Sequence, residues 1–194
     1  ILAVLLLFGC KQATKKVVDR YPGGQVMTEY IYPNKYDTSE YVCNVYYENG
    51  VRKHETRISN EHFIGEKKSF FENGKIESIE KLSRPTPLNA ELYDCYIINY
   101  RVDGTKESEY QYINDKLNGL AKDYDSIGNI SRTTEYINGK INGLSAIYYP
   151  NGKIKSIAHC RNDSAYGYEY EFNENGDTLR AMIHYGLSDE NGVS

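Results

Sequence analysis

Seven glycines recur along the chain at an almost constant interval. They are Gly24, Gly50, Gly74, Gly104, Gly128, Gly152 and Gly176, with successive spacings of 26, 24, 30, 24, 24 and 24 residues. A fixed period of this size marks a stack of small units, each burying its apolar surface against its neighbours. The residue before the glycine is Asn at 49, 73, 151 and 175, Asp at 103 and Gly at 23, and only Ile127 departs. A second glycine stands nine residues before the anchor at Gly65, Gly119, Gly143 and Gly167. An asparagine stands ten after it at Asn60, Asn114, Asn138 and Asn162.

Asn-Gly tolerates positive φ at both positions, so the anchors "YENG", "FENG", "YPNG" and "NENG" are expected to be tight hairpin turns. Segments such as 144–149 and 153–158 alternate and are rich in β-branched and aromatic residues, as strands are. The stretch from Asn138 to Gly143 reads as the second turn. The fold class is therefore all-β: an elongated, curled antiparallel meander of about seven hairpin repeats of ~24 residues. Prolines at 85 and 87 predict a loop between the third and fourth repeats, a bulging loop or else a hinge between two subarrays.

Four residues before the anchor the chain is aromatic in six of seven repeats: Tyr46, Phe70, Tyr100, Tyr124, Tyr148 and Phe172. Two residues after it come Val26, Ile76, Ile130 and Ile154. With a type I turn plus G1 bulge the two columns face each other, each aromatic–β-branched pair contributing about 0.2–1 kcal/mol. Position eight after the anchor (Tyr32, Ile58, Leu82, Tyr112, Tyr136, Cys160) is expected on the same face. Asp123, Ser131 and Lys155 are expected on the opposite, wet face. About 14 strands at ~4.8 Å make a sheet roughly 65 Å long, and open sheets of that width curl. An aromatic face without a second layer is a binding surface or an oligomer interface.

The chain opens with eight apolar residues, Ile1 to Phe8, followed by Gly9-Cys10 and then polar residues. The run is too short to span a bilayer and reads as the end of a signal peptide. It resembles a bacterial lipoprotein signal, which implies lipidation at Cys10 and an envelope location anchored through that lipid. The expected division is 1–10 signal remnant, 11–20 tether, 21–186 repeats and 187–194 C-terminal cap or tail. Lys15, Lys16 and Arg20 in the tether read as solvated charges. Cys43, Cys95 and Cys160 fall in strands as small apolar filler, with at most one disulfide among them.

The pattern "YYPNGKIKS…NDSAYGYEYEFNENGDTLR" resembles the variant MORN repeat of bacterial proteins, many labelled YwqK-type toxin–antitoxin antitoxins. The resemblance runs from about Tyr21 to Tyr185 and is clearest from Gly104 onward. It implies an elongated antiparallel sheet serving protein contact or membrane association, with no catalytic residues to carry over.

The chemistry-bearing residues do not converge. His54, His62, His159 and His184 sit at four different offsets in the repeat, and no HExxH or His-x-His occurs. The pairs Asp123/Asp125 and Glu169/Glu171 read as solvated strand faces. No P-loop, GxSxG or dinucleotide fingerprint is present. A formal charge of -4 and a pI near 5.6 argue against nucleic acid as a partner. The expectation is a chain without catalytic residues, cofactor or metal. It is a lipid-anchored scaffold that binds a protein through the aromatic column, with homo-oligomer formation left open. Two alternatives are an antitoxin or immunity protein with a toxin as partner, and a carbohydrate-binding envelope protein using its tyrosine faces.

Overall fold

The computed structural model describes residues 13–91 and 93–185, so Cys10 and the cap at 187–194 lie outside the described residues. The strands of the first half are β1 (Thr14–Arg20), β2 (Val26–Tyr32), β3 (Glu40–Tyr46), β4 (Arg52–Ser59), β5 (His62–Phe70), β6 (Ile76–Leu82) and β7 (Thr86–Pro87). Those of the second half are β8 (Cys95–Tyr100), β9 (Lys106–Ile113), β10 (Lys116–Leu117), β11 (Gly119–Tyr124), β12 (Ile130–Ile137), β13 (Lys140–Tyr148), β14 (Ile154–Arg161), β15 (Ser164–Phe172) and β16 (Thr178–His184). Fourteen of them pair in chain order as one open antiparallel meander, with β7 beside β5 and β10 beside β9. Each anchor glycine turns one of seven hairpins, so the repeat read from the sequence is the structural unit. The segment 11–20, expected as a tether, supplies Thr14–Arg20 as the edge strand β1.

The two kinds of turn differ: the anchors have the type I turn with a G1 bulge on which the column pairing was argued, and not the double positive φ that Asn-Gly tolerates. At the anchor, Gly152 N donates to Tyr149 O at 2.9 Å and Tyr149 N to Lys153 O at 2.8 Å, while Gly152 alone takes a positive φ, 80°. That is a type I turn closed by a G1 bulge. Asn151 serves there through its side chain, whose Oδ1 accepts from Lys153 N at 3.0 Å. The double positive φ belongs to the second turns: Asn138 at 53° and Gly139 at 83°, Asn162 at 51° and Asp163 at 69°. Because such a turn closes in two residues, Lys140–Asn142 are already strand, correcting the six-residue turn expected from 138 to 143. Where Ile127 breaks the anchor pattern, Asp125 Oδ1 replaces the missing side chain, accepting from Ile127 N at 3.0 Å and Asn129 N at 2.9 Å.

Eight of the described residues are buried, and only Ile58, Cys95 and Ala146 of them are apolar. A single layer has no interior; its stability comes from ladder hydrogen bonds and side chains packed laterally along each face. The loop after β6 is docked: Thr86 pairs with Phe63, Pro87 with His62, and Thr86 is buried.

Candidate interaction face

The aromatic column lies on one face, called front below. Across the anchor bulges Phe70 pairs with Ile76, Tyr124 with Ile130 and Tyr148 with Ile154, as the spacing predicted. Elsewhere the partner differs: Arg52 faces Tyr46, Lys106 faces Tyr100 and Thr178 faces Phe172. The column rings are half-buried, and three of their hydroxyls, that of Tyr124 to Glu109 among them, reach across to the preceding strand. Tyr46 Oη donates to Glu29 at 2.5 Å, and Tyr148 Oη lies 3.2 Å from Thr133 Oγ1. Burial first, then the hydrogen bond to Glu29, push the Tyr46 phenol up to about 12.

The column eight residues after the anchor is on the back face instead. Ala146 pairs with Ile157 on the front, whereas Gly143 pairs with Cys160 on the back. The cause is the bulge, whose extra residue reverses the in–out alternation downstream of the turn. Ser131 and Lys155 are such extra residues, unpaired between Arg132 and Ile130 and between Ser156 and Ile154, not members of a wet face. Asp123 is on the back as expected, paired with Arg132. The back is not simply wet either: Tyr30 and Tyr41 have ring centroids 4.7 Å apart, and Tyr110 and Tyr112 5.7 Å.

Following the register, one continuous row crosses the front face. In the first half it reads Glu29, Asn44, Glu55, Lys68, with Arg52 ion-paired to Glu55 and Lys68 3.8 Å from the same carboxylate. Beyond Ile79 and Ile98 it reaches Glu109 and Lys122. Then it turns nearly uncharged: Thr133, Ala146, Ile157, Tyr170, Ala181. Glu109 marks the border. Burial alone would raise its carboxyl, but hydrogen bonds from Lys106, Lys122, Tyr124 and Tyr96 outweigh that and hold it at about 2.

In the second half the exposed apolar side chains collect on this face. Leu120 is 46 % exposed, Leu144 37 %, Tyr168 54 % and Ile183 49 %. Leu144, Ile157, His159, Tyr166, Tyr168 and Tyr170 line an open groove of about 400 Å³. These residues were not singled out from the sequence, although a signal exists. Leu120, Leu144 and Tyr168 each follow the second glycine of their repeats, at Gly119, Gly143 and Gly167.

A second column, three residues before the anchor, ties repeats together. Tyr21 donates its hydroxyl to Tyr46 O at 2.7 Å, Tyr47 to Phe70 O at 2.8 Å and Tyr149 to Phe172 O at 2.8 Å. Arg101 does the same to Tyr124 O at 2.5 Å.

The histidines are scattered as expected. His54 meets Ser69, His62 the carbonyl of Asn60, His159 the Tyr166 ring, and His184 the Glu169 carboxylate at 2.6 Å. Among the described residues no group of three or more His, Cys, Asp or Glu is placed to hold a metal ion. Cys43, Cys95 and Cys160 are free thiols. Burial pushes all three up, and Cys95, with Glu80 nearby, rises to about 11.

Residues 64–81 and 141–162 match the family model of the MORN repeat variant. Those two segments carry a MORN repeat variant. They fall on the hairpins turned at Gly74 and Gly152, so the motif coincides with the strand–turn–strand unit. No curated protein matches the chain. MORN repeats are often scaffolds that bind proteins or membranes, and the residues matched here build turns and strands.

Proposed function

We propose that this chain is a non-catalytic repeat scaffold that binds a protein through the front face of its second half. The observation that carries the reading is the strip of Leu120, Leu144, Tyr168 and Ile183, exposed on one side of a single-layer sheet. Apolar area removed from water yields about 25 cal/mol per Å², and a one-layer sheet has no second layer of its own to collect it. Of the aromatic column on the same face, Tyr124, Tyr148 and Phe172 end β11, β13 and β15 and would line the edge of the contact, while Tyr46, Phe70 and Tyr100 end β3, β5 and β8 outside it.

A photo-crosslinking residue replacing Tyr168 is expected to form a protein adduct in cells, and one replacing Ser156 on the back face to form none. Equal yields from both sites, or no adduct from Tyr168, would sink the reading. On sequence grounds we infer a lipid at Cys10 and an envelope location. The mass of the N-terminal peptide from a membrane fraction, compared with Cys10→Ala, tests it, and an unmodified Cys10 overturns it.

A further inference from the structure

Resting on that reading, we propose that the protein bound by this strip is a second copy of the same chain, stacked front face to front face about a twofold axis along β13. The argument is the order of residues along the outer front-face row. Leu120 pairs with Glu135, Glu135 lies against Leu144, and Leu144 pairs with His159. Tyr166 and Tyr168 follow on β15. Read outward from Leu144, the row is acid then apolar on one side, and imidazole then aromatic on the other.

A twofold axis along β13, midway between two sheets ~10 Å apart, reverses that row onto itself. Leu144 meets its own copy, each Glu135 faces the other chain's His159, and each Leu120 faces Tyr168. In the inner row Ala146, buried and small, lies on the axis and lets the two sheets approach. An axis along β14 sets Glu135 against Ile183, one midway between β12 and β13 sets it against Leu144, and one along β12 opposes the two carboxylates. An isologous contact of this kind closes on itself and does not propagate into fibres.

The carboxylate is already positioned. Glu135 Oε2 accepts from Leu144 N at 2.8 Å. Room for it exists because residue 143 has no side chain: a Cβ there would sit 2.0 Å from that oxygen. That hydrogen bond fixes the carboxylate against β13, and Oε1 is the oxygen assigned to an imidazole N–H from the other copy. On its own chain His159 meets the Tyr166 ring, with centroids 6.0 Å apart.

The area is adequate. The five strands from β11 to β15 that this axis lays over their copies, at ~4.8 Å and about seven residues of ~3.3 Å each, give a patch of roughly 24 Å by 23 Å. That is about 1,100 Å² over the two partners, just above the ~1,000 Å² a specific interface needs. The back of the same strands carries Arg132, Glu169, Glu171 and Arg180, which suits water, so the two faces are not interchangeable.

The test is sedimentation velocity on the full chain carrying Cys10→Ser, so that no acyl group contributes to association. The parent is expected to be a dimer and Leu144→Asp a monomer. His159→Glu, which opposes like charges, is expected to weaken the dimer at least ten-fold with an unchanged circular dichroism spectrum. Adding Glu135→Lys to His159→Glu should recover most of the loss. A monomeric parent, or a dimer indifferent to both Leu144→Asp and His159→Glu, overturns the proposal. A Tyr168 adduct whose mass is not twice that of the chain overturns the dimer while leaving the scaffold reading intact; absence of any adduct sinks both.

Discussion

Lys122 places its ammonium 2.8 Å from Glu109 Oε1, across the β9–β11 pair, while Lys106 holds Oε2 at the same distance. Glu109 is one of the few buried ionisable side chains among the described residues, and it stands where the charged half of the front face gives way to the apolar half.

Because the Glu109 carboxyl is held at about 2 in the folded chain, below an unfolded value near 4.3, the folded state binds fewer protons there. Its contribution is fully present above about pH 4.5 and is lost as pH falls toward 2. Glu109→Gln should therefore unfold with a weaker pH dependence between pH 4.5 and 2 than the parent. At pH 7 it should be less stable by about 1–3 kcal/mol, the cost of leaving lysines without their partner. Urea titrations at several pH values measure both, and parallel curves for parent and variant would refute the assignment.

Removing one tether should act locally. Tyr149→Phe deletes the hydroxyl that reaches Phe172 O and is expected to cost about 1 kcal/mol. Amide exchange should rise in β15 and β16 while β1–β4 stay as protected as before, since repeat stability is nearest-neighbour. Uniform loss of protection would mean that the array unfolds as one unit.

Gly143 combines a φ of +131° with the close approach of Glu135. Gly143→Ala should cost more than the same change at Gly152, where φ is +80° and no atom lies within 4 Å. The Gly152 change is expected to cost about 1 kcal/mol and the Gly143 change about 2–3 kcal/mol. Comparison of the two thermal midpoints decides it, and equal shifts would show that the crowding is absorbed without strain.

The thiols should differ in reactivity. Cys95 is buried and pushed up to about 11, so little thiolate is present at pH 8. Alkylation there, followed by mass spectrometry, should label Cys43 and Cys160 well before Cys95. Labelling of Cys95 first would contradict its burial between Leu82 and Tyr112 on the neighbouring strands.

The sequence was most informative where one residue type meets one backbone demand. The anchor glycines, the aromatic column and its β-branched partners were all legible because each repeats at a position fixed by the turn. What escaped was the parity beyond the bulge. Counting two residues at a time carries Cys160 onto the face of Tyr148, but the extra residue at Lys155 sends it to the other side. A pattern of apolar positions does not announce such an insertion; only the hydrogen-bond register does. The tethers of Tyr21, Tyr47 and Tyr149 were hidden for a related reason. Their hydroxyls bind a backbone carbonyl in the next repeat, and a carbonyl is offered by every residue. Leu120, Leu144 and Tyr168 were overlooked because the position after the second glycine has no constant chemistry, reading Glu66, Leu120, Leu144 and Tyr168 along the chain.

The strictly sequential pairing also fixes how the protein answers force. Each strand is bonded only to its chain neighbours along the main path, so a pull on the two ends peels the sheet instead of shearing it, loading a few hydrogen bonds at a time. Such a ribbon yields at low tension, hairpin by hairpin, and the tyrosine ties set the height of each successive step. Between the hairpins turned at Gly74 and Gly104 the tether position holds Phe71, which has no hydroxyl to offer. There the step falls to the Lys75 ammonium on Asp103 O, 2.9 Å away, a surface contact that salt water competes for.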